Sequence, residues 1–173
     1  FTPTFARANV DATASQLGIM TTLVTLPAIF AAPMSSSISK KLGGFDKSML
    51  LVFAISAVYC CVVPFINNIY VYYVAQFIFG FARGSSTSLM MAAAILEIEP
   101  ARRATAMGFF QAIYGIGMTL GPQIVGLFGR SAAGETNLPG LVVGFFFVAA
   151  TQVVGGVLSM TLLRRQVKKS EAN

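Results

Sequence analysis

IEPARRATAMGFFQAIYGIGMTLGPQIVG, residues 98–126, is the stretch that decides the fold of this 173-residue chain. It opens on a polar segment with Pro100, Arg102 and Arg103, and then runs to Gly126 without another charged residue. A hydrocarbon core of about 30 Å requires about 20 residues of α-helix. The stretch therefore predicts a membrane-spanning helix at residues 104–128.

Four further apolar runs of similar length flank this stretch. They occupy residues 12–38, 48–66, 69–96 and 141–163, and short polar breaks separate them. Each run is several times the length of a β-strand and lacks period-2 alternation, so strands are a poor alternative. We predict an all-α membrane protein, a helical bundle with five complete transmembrane helices plus the end of a sixth.

The composition excludes several functional classes. Charged residues make up 10% of the chain and hydrophobic residues 55%, whereas soluble domains carry about 25% charged residues. The net charge of +6 does not indicate a nucleic-acid partner, because such a protein needs a basic face on a polar body. The lipid bilayer is the expected surrounding.

The loop charges predict an orientation, since Lys and Arg are enriched in short cytoplasmic loops. Nine of the twelve cations lie in alternate breaks or in the tail. The opposite breaks hold only Arg7 and Arg130, and Arg83 lies inside a run. We expect a multi-pass protein of the cell membrane with a cytoplasmic C-terminal tail at residues 164–173.

The amino end is expected to belong to an earlier helix. Residues 1–6 have neither the positive start nor the small-residue cleavage site of a signal peptide. With the basic loops on the cytoplasmic side, the chain is expected to begin on the outer side of the membrane, at the outer tip of a helix. Residues 1–173 would then form one domain that lacks a preceding part.

Two motifs resemble the major facilitator superfamily. Residues 98–126 combine a Pro and a basic pair with a G-x-x-x-G-P-x-x-x-G pattern formed by Gly117, Gly121, Pro122 and Gly126. The stretch SSISKKLGGFD, residues 36–46, is similar to the family's short basic loop, with Lys41 at a basic position and Gly43 at its internal glycine. Lys40 stands where the family has an acidic residue. The resemblance implies the C-terminal six-helix half of a twelve-helix transporter, whose partner is a missing N-terminal half.

Arg83 is the most informative single residue. An Arg at mid-helix costs about 2.5 to 3.5 kcal/mol on insertion scales, so it normally faces a polar cavity or a partner. Tyr72, Gln76, Gly80 and Thr87 lie at helical spacing from it, three before and one after, and are expected to share its face. In the next run Gln111 and Tyr114 form a second polar stripe. We expect these residues to line the cavity for a small-molecule substrate, with structural hydrogen bonding between helices as the alternative.

Glycine and proline residues indicate where helices could bend. Proline removes a backbone hydrogen bond and allows a kink, and small residues let helices approach closely. Pro27 interrupts the first complete run, while the motif around Gly121 and Pro122 interrupts the fourth. We expect hinge or gating roles at Pro27, Gly117, Gly121, Pro122 and Gly126, with tight packing as the alternative.

The resemblance implies a secondary transporter that works by alternating access. Proton-coupled efflux is the first interpretation. The alternatives are an uptake permease for organic anions or metabolites and, in another class, a non-transporting structural membrane subunit. A membrane-embedded enzyme would need His, Asp or Glu clustered at membrane depth. The chain has no His, and its six acids lie in loops, helix ends or the tail, so we expect no catalytic residue, metal site or cofactor.

Overall fold

A computed structural model describes residues 2–42, 44–96, 98–129 and 137–171, with side chains described as far as Thr161. These residues form α-helices and two 3₁₀ turns, and they contain no β-strand. The helices are α1 (Thr2–Val10), α2 (Ala14–Lys41), α3 (Phe45–Val62), α4 (Ile69–Ile95), α5 (Arg103–Phe128) and α6 (Leu138–Glu171). One 3₁₀ turn, Val63–Phe65, extends α3, and the other, Pro100–Arg102, precedes α5.

Local side chains fix where two of the long helices begin. Thr13 and Gln16 form a capping box at the start of α2, in which the Thr13 amide donates to Gln16 Oε1 over 2.8 Å. Asn68 caps α4, since its Oδ1 accepts from the Tyr70 amide at 2.9 Å. Gly44 precedes α3 with a φ of 141°, a conformation that favours glycine.

Three described helical segments are long and apolar enough to cross a membrane. They are Ala14–Lys41, Phe45–Phe65 and Leu138–Thr161. Helices α4 and α5 have 27 and 26 residues, which is sufficient length. Polar residues such as Gln76 and Arg83 lower the hydropathy of α4, and Gln111 and several glycines do the same for α5.

The long helices pack as antiparallel and parallel pairs. Helix α2 runs parallel to α4, since Val24 lies against Gly80 and Ala28 against Gly84. Helix α6 runs antiparallel to α3: the Phe146 ring lies 6.5 Å from that of Phe65, while Gly156 lies against Phe53. This arrangement brings the end of α2, the start of α3 and the end of α4 to one end of the bundle.

The short helix α1 is fixed to the other end of the bundle. Phe5 and Ala6 are buried, and the Phe5 ring meets that of Phe145 edge-on with centroids 5.5 Å apart. Asn9 Nδ2 donates to the Ile66 carbonyl over 2.9 Å. Apolar packing and a polar contact thus hold α1 against α6 and the end of the α3 segment.

Much of the apolar surface is open. Phe65, Phe109 and Ile113 are 72%, 70% and 69% exposed, and Val125 is the one residue of α5 that is buried in the described structure. Soluble monomers rarely expose apolar surface on this scale. The open faces therefore fit contact with lipid or with further helices.

Candidate substrate site on α2 and α4

The predicted polar face of α4 divides into a buried part and an exposed part. Tyr72, Gln76 and Gly80 are buried, whereas Arg83 is exposed and Thr87 is half-buried. Farther along α4 the buried residues include Ala82, Ser85 and Leu89, which lie on another side of the helix. The two sides face different helices, since Gly84 lies against Ala28 of α2 whereas Ala82 and Leu89 pack with Met49 and Val52 of α3.

Tyr72 and Gln76 form hydrogen bonds inside the bundle. The Tyr72 hydroxyl donates to the Val63 carbonyl at 3.4 Å. The Tyr59 hydroxyl donates to Gln76 Oε1 at 3.0 Å and lies 3.1 Å from Thr2 Oγ1, while its ring stacks on Phe79. These polar groups connect α1, α3 and α4, and the arrangement matches the structural alternative for this part of the stripe.

We expect the Tyr59–Gln76 hydrogen bond to stabilise the fold modestly. Tyr59→Phe leaves Gln76 Oε1 without this donor, which should lower the free energy of unfolding by about 1 kcal/mol. A double-mutant cycle with Gln76→Leu should give a coupling energy of about 0.6 kcal/mol, measured by thermal unfolding in detergent. Tyr70→Phe is the control, because Tyr70 is 73% exposed. Equal effects of Tyr59→Phe and Tyr70→Phe would contradict this assignment.

The backbones of α2 and α4 approach each other at two glycines. A Cβ atom on Gly80 would overlap the Val24 carbonyl oxygen, and one on Gly84 would overlap the Ala28 carbonyl oxygen. Such a small-x-x-x-small pair allows close helix contact. The four-residue spacing of Gly80 and Gly84 is visible in the sequence, although the predicted polar face included only Gly80.

Serine hydroxyls close the same interface one turn farther on. Ser35 Oγ and Ser88 Oγ lie 2.9 Å apart, and Ser88 Oγ donates to the Ala32 carbonyl over 3.0 Å. These hydrogen bonds connect α2 and α4 one turn beyond Gly84, where α4 has no glycine. Helices α2 and α4 are thereby held together over about three turns.

A groove of about 340 Å³ follows this interface on its open side. Its walls are mostly aliphatic, with the hydroxyl-bearing residues Thr87 and Ser88 among them; the remaining lining residues are Ala28, Ile29, Ala32, Gly84 and Met91. Arg83 precedes Thr87 by one helical turn on the same side, and the Thr87 hydroxyl donates to the Arg83 carbonyl at 3.1 Å. The structure thus places an exposed cation beside an apolar groove that carries hydroxyl groups.

The predicted stripe and motif of α5 lie on open surface. Gln111 is exposed, and Tyr114 is half-buried with its ring stacked on Phe110. Cβ atoms added to Gly117 or Gly121 would meet nothing within 4 Å. Within the described residues these glycines therefore make no close helix contact.

The G-x-x-x-G-P-x-x-x-G motif borders a cavity of about 600 Å³ between α5 and α6. Gly117, Gly121 and Pro122 contribute to one wall, and Thr151 and Gln152 to the other. Gly126 is half-buried near the point where Val125 contacts Gly144 of α6. Helix α5 stays continuous through Pro122.

The remaining predicted positions lie on α2 and just after it. Pro27 is buried within α2, which continues as a helix through Pro27 and Pro33. Lys40 and Lys41 are exposed in its last turn, while Gly43 lies outside the described residues. No three His, Cys, Asp or Glu side chains in the described part of the chain come together so as to hold a metal ion.

Comparison with known proteins identifies the family. The sequence model of the Major Facilitator Superfamily matches residues 1–173. The chain belongs to this family. Membership confirms the resemblance seen in the motifs and the helical-bundle fold class, and it identifies a family of membrane transporters, not of enzymes. No solved structure matches the chain significantly.

One curated relative of this family member is the tetracycline resistance protein, class H, of Pasteurella multocida. The two are 26% identical over 162 residues, which cover 92% of this chain and 37% of the relative. The chain thus spans little more than a third of the length of the curated relative that it matches.

Proposed function

We propose that this chain forms part of a secondary transporter that moves a small amphipathic solute by alternating access. The observation that carries the proposal is the exposed guanidinium-bearing residue Arg83 beside the α2–α4 groove, at mid-helix in a family of transporters. An Arg there needs an anionic or polar partner. A substrate with a polar group and an apolar body supplies that partner and fills the groove.

In this proposal α2 to α6 each cross the bilayer, and α1 is the outer tip of another spanning helix. Lys40, Lys41, Lys47, Arg102 and Arg103 then lie on the cytoplasmic side, together with the C-terminus. A further six-helix half packs against the open faces of α4 and α5. The groove and Arg83 then face a central cavity of the cell-membrane protein.

We further propose proton-coupled export as the mode of transport. Support comes from the relative, a tetracycline resistance protein, and from the glycine-proline motif of α5. Tetracycline is accordingly the first probe: proteoliposomes that contain a full-length protein with this chain should accumulate it when a pH gradient is imposed. Accumulation without a gradient, or none with any probe, would contradict export by antiport.

Uptake of an organic anion is the second candidate, and the exposed Arg83 favours it. A panel of organic monoanions in the same vesicles, tested with the gradient in both orientations, separates uptake from export. A structural subunit would transport none of these probes, with or without a gradient.

We predict that the acids of this chain do not carry the coupled proton. A proton carrier must titrate within the transport path, whereas Asp11 lies between α1 and α2, Asp46 in the first turn of α3 and Glu99 before α5. Asp11→Asn, Asp46→Asn and Glu99→Gln should each keep gradient-driven transport within about twofold of the wild type. Loss of gradient-driven transport with intact substrate counterflow in any of them would place the carrier in this chain.

A further inference from the structure

The cavity of about 600 Å³ between α5 and α6 arises because the two helices separate along their length. Near the end of α5 they are in close contact: a Cβ atom on Gly144 of α6 would lie 3.2 Å from Val125 Cγ1. One to two turns earlier in α5, Cβ atoms on Gly121 or Gly117 would meet nothing within 4 Å. The cavity fills this gap, and the contact at Val125 closes it at one end.

The cavity carries a side-chain amide that has no partner. Its polar side chains are Thr151 and Gln152, both on α6. The Thr151 hydroxyl already donates to the Val148 carbonyl over 2.7 Å. The half-buried Gln152 amide forms no hydrogen bond with any residue that the structure describes. Gln152 is therefore available to bind a polar group that enters the cavity.

The depth of Gln152 in the membrane makes such a partner favourable. Gln152 lies 14 residues after Leu138, the first residue of α6, which is about 21 Å along the helix. In the proposed arrangement this position lies within the hydrocarbon core of about 30 Å. A primary amide offers two donors and an acceptor, and the core holds no water to pair with them. A ligand with a complementary polar group removes this penalty.

The charge and the size of the cavity indicate a small neutral molecule. None of the described residues that line it is charged, so an ion buried there would lack a partner. Its volume is within the range of small-molecule sites, whose walls are mostly apolar with a few polar groups. The α5 wall extends from Gly117 to Val125, about 12 Å. A docked transmembrane helix needs a groove closer to the full 30 Å of the core.

We propose that the α5–α6 cavity binds a neutral amphipathic molecule whose carbonyl, amide or hydroxyl group forms a hydrogen bond with the Gln152 amide. The apolar body of the ligand contacts Leu120, Val125 and Phe147. This site shares no lining residue with the α2–α4 groove, where Arg83 favours an anion. The proposal rests on the membrane placement of α5 and α6, and it does not require transport.

Benzophenone is a suitable probe of this site. It is neutral, it has one carbonyl group between two apolar rings, and under near-ultraviolet light it forms covalent bonds with nearby C–H groups. The full-length protein that contains this chain is irradiated with benzophenone in phosphatidylcholine vesicles, and mass spectrometry of peptides locates the adducts. We expect the adducts to concentrate in residues 117–125 and 147–152 and to saturate with increasing probe concentration.

Two variants with matched controls test the role of each wall. Gln152→Leu should lower the labelling of these segments about 2- to 10-fold at low probe concentration, because a neutral hydrogen bond is lost. Gln111→Leu is its control, since Gln111 is exposed on α5 outside the cavity. Gly121→Leu fills the cavity and should remove most of the labelling. Gly115→Leu adds the same side chain to α5 where it meets no atom and should leave the labelling unchanged.

Competition in the wild type tests the proposal even where a variant does not fold. Excess acetanilide, a neutral amide, should reduce the adducts in both segments, whereas the anion benzoate should not. Four results would overturn the proposal: adducts spread evenly over the exposed apolar faces, no adducts in either segment, equal labelling of Gln152→Leu and Gln111→Leu, or competition by benzoate but not by acetanilide. Absence of adducts would show that another part of the protein fills the cavity. Labelling measures binding alone, so its outcome is independent of the transport assays.

Discussion

Replacing Gly84 with valine is expected to disrupt the packing of α2 against α4. Even the first side-chain atom at this position would overlap the Ala28 carbonyl oxygen. Because that oxygen belongs to the backbone, relief requires movement of a whole helix, and overpacking of this kind costs about 1 to 3 kcal/mol or more. We expect Gly84→Val to lose about 3 kcal/mol and Gly84→Ala to fall between the variant and the wild type.

Thiol labelling during a thermal ramp measures this effect without added probes. Cys60 is buried and Cys61 is half-buried, so in a Cys61→Ser background the reaction of Cys60 with a fluorogenic maleimide reports the opening of the bundle in detergent. Gly18→Val is the matched control, since a Cβ on Gly18 of α2 would meet nothing within 4 Å. Equal midpoints for Gly84→Val and Gly18→Val would show that the close approach is not needed.

Comparing the stability lost in Gly84→Val with that lost in Ser88→Ala should distinguish close packing from hydrogen bonding at the α2–α4 interface. Ser88→Ala removes the contacts to Ser35 and to the Ala32 carbonyl but adds no atom between the backbones. Hydrogen bonds between membrane helices contribute about 0.6 kcal/mol on average. We therefore expect Ser88→Ala to lower the free energy of unfolding by much less than Gly84→Val does.

Hydrophobicity predicted the helical class, but the orientation of each helix depends on its neighbours. The register of α4 placed Tyr72, Gln76 and Arg83 on one face, and spacing alone supports this. In the structure the first two are buried among α1, α3 and α4, whereas Arg83 is exposed. A helix that crosses others presents different sides to them along its length, and a single sequence does not contain the crossing geometry.

The glycine motif of α5 shows that spacing in the sequence does not predict which helices come into contact. Its glycines were recognisable from the sequence, and they led us to predict hinge or gating roles, with tight helix packing as the alternative. A Cβ atom added to Gly117 or Gly121 would nevertheless meet no described atom within 4 Å, whereas Cβ atoms on Gly80 and Gly84, which have the same four-residue spacing, would overlap carbonyl oxygens of α2. The sequence shows which residues would allow two helix backbones to come close, but where they do so depends on how the neighbouring helix packs.

Arg83→Ala is expected to reduce transport most among substitutions of exposed cations. The loss of a charge-assisted hydrogen bond to a bound anion costs about 1.5 to 3 kcal/mol, which corresponds to about 10- to 150-fold in transport efficiency. We expect the effect mainly in the KM for substrate, since the groove walls remain intact. Initial rates in proteoliposomes over a range of substrate concentrations measure it.

Arg83→Lys distinguishes two ways in which the residue could act. A planar guanidinium binds carboxylate or phosphate oxygens in pairs, whereas an ammonium acts as a point charge. If Arg83 binds an anionic substrate group directly, Lys should recover only part of the activity. If the residue contributes only a positive field to the cavity, Lys should recover nearly all of it.

A matched control tests whether transport depends on the position of Arg83 or only on the loss of one positive charge. Lys41→Ala removes another exposed cation, at the end of α2 and far along the helix from the groove, and should leave KM within about twofold of the wild type. Wild-type transport by both Arg83 variants would remove this residue from the substrate site. The apolar groove and the hydroxyls of Thr87 and Ser88 would then have to hold the solute, and an uncharged substrate would be the better probe.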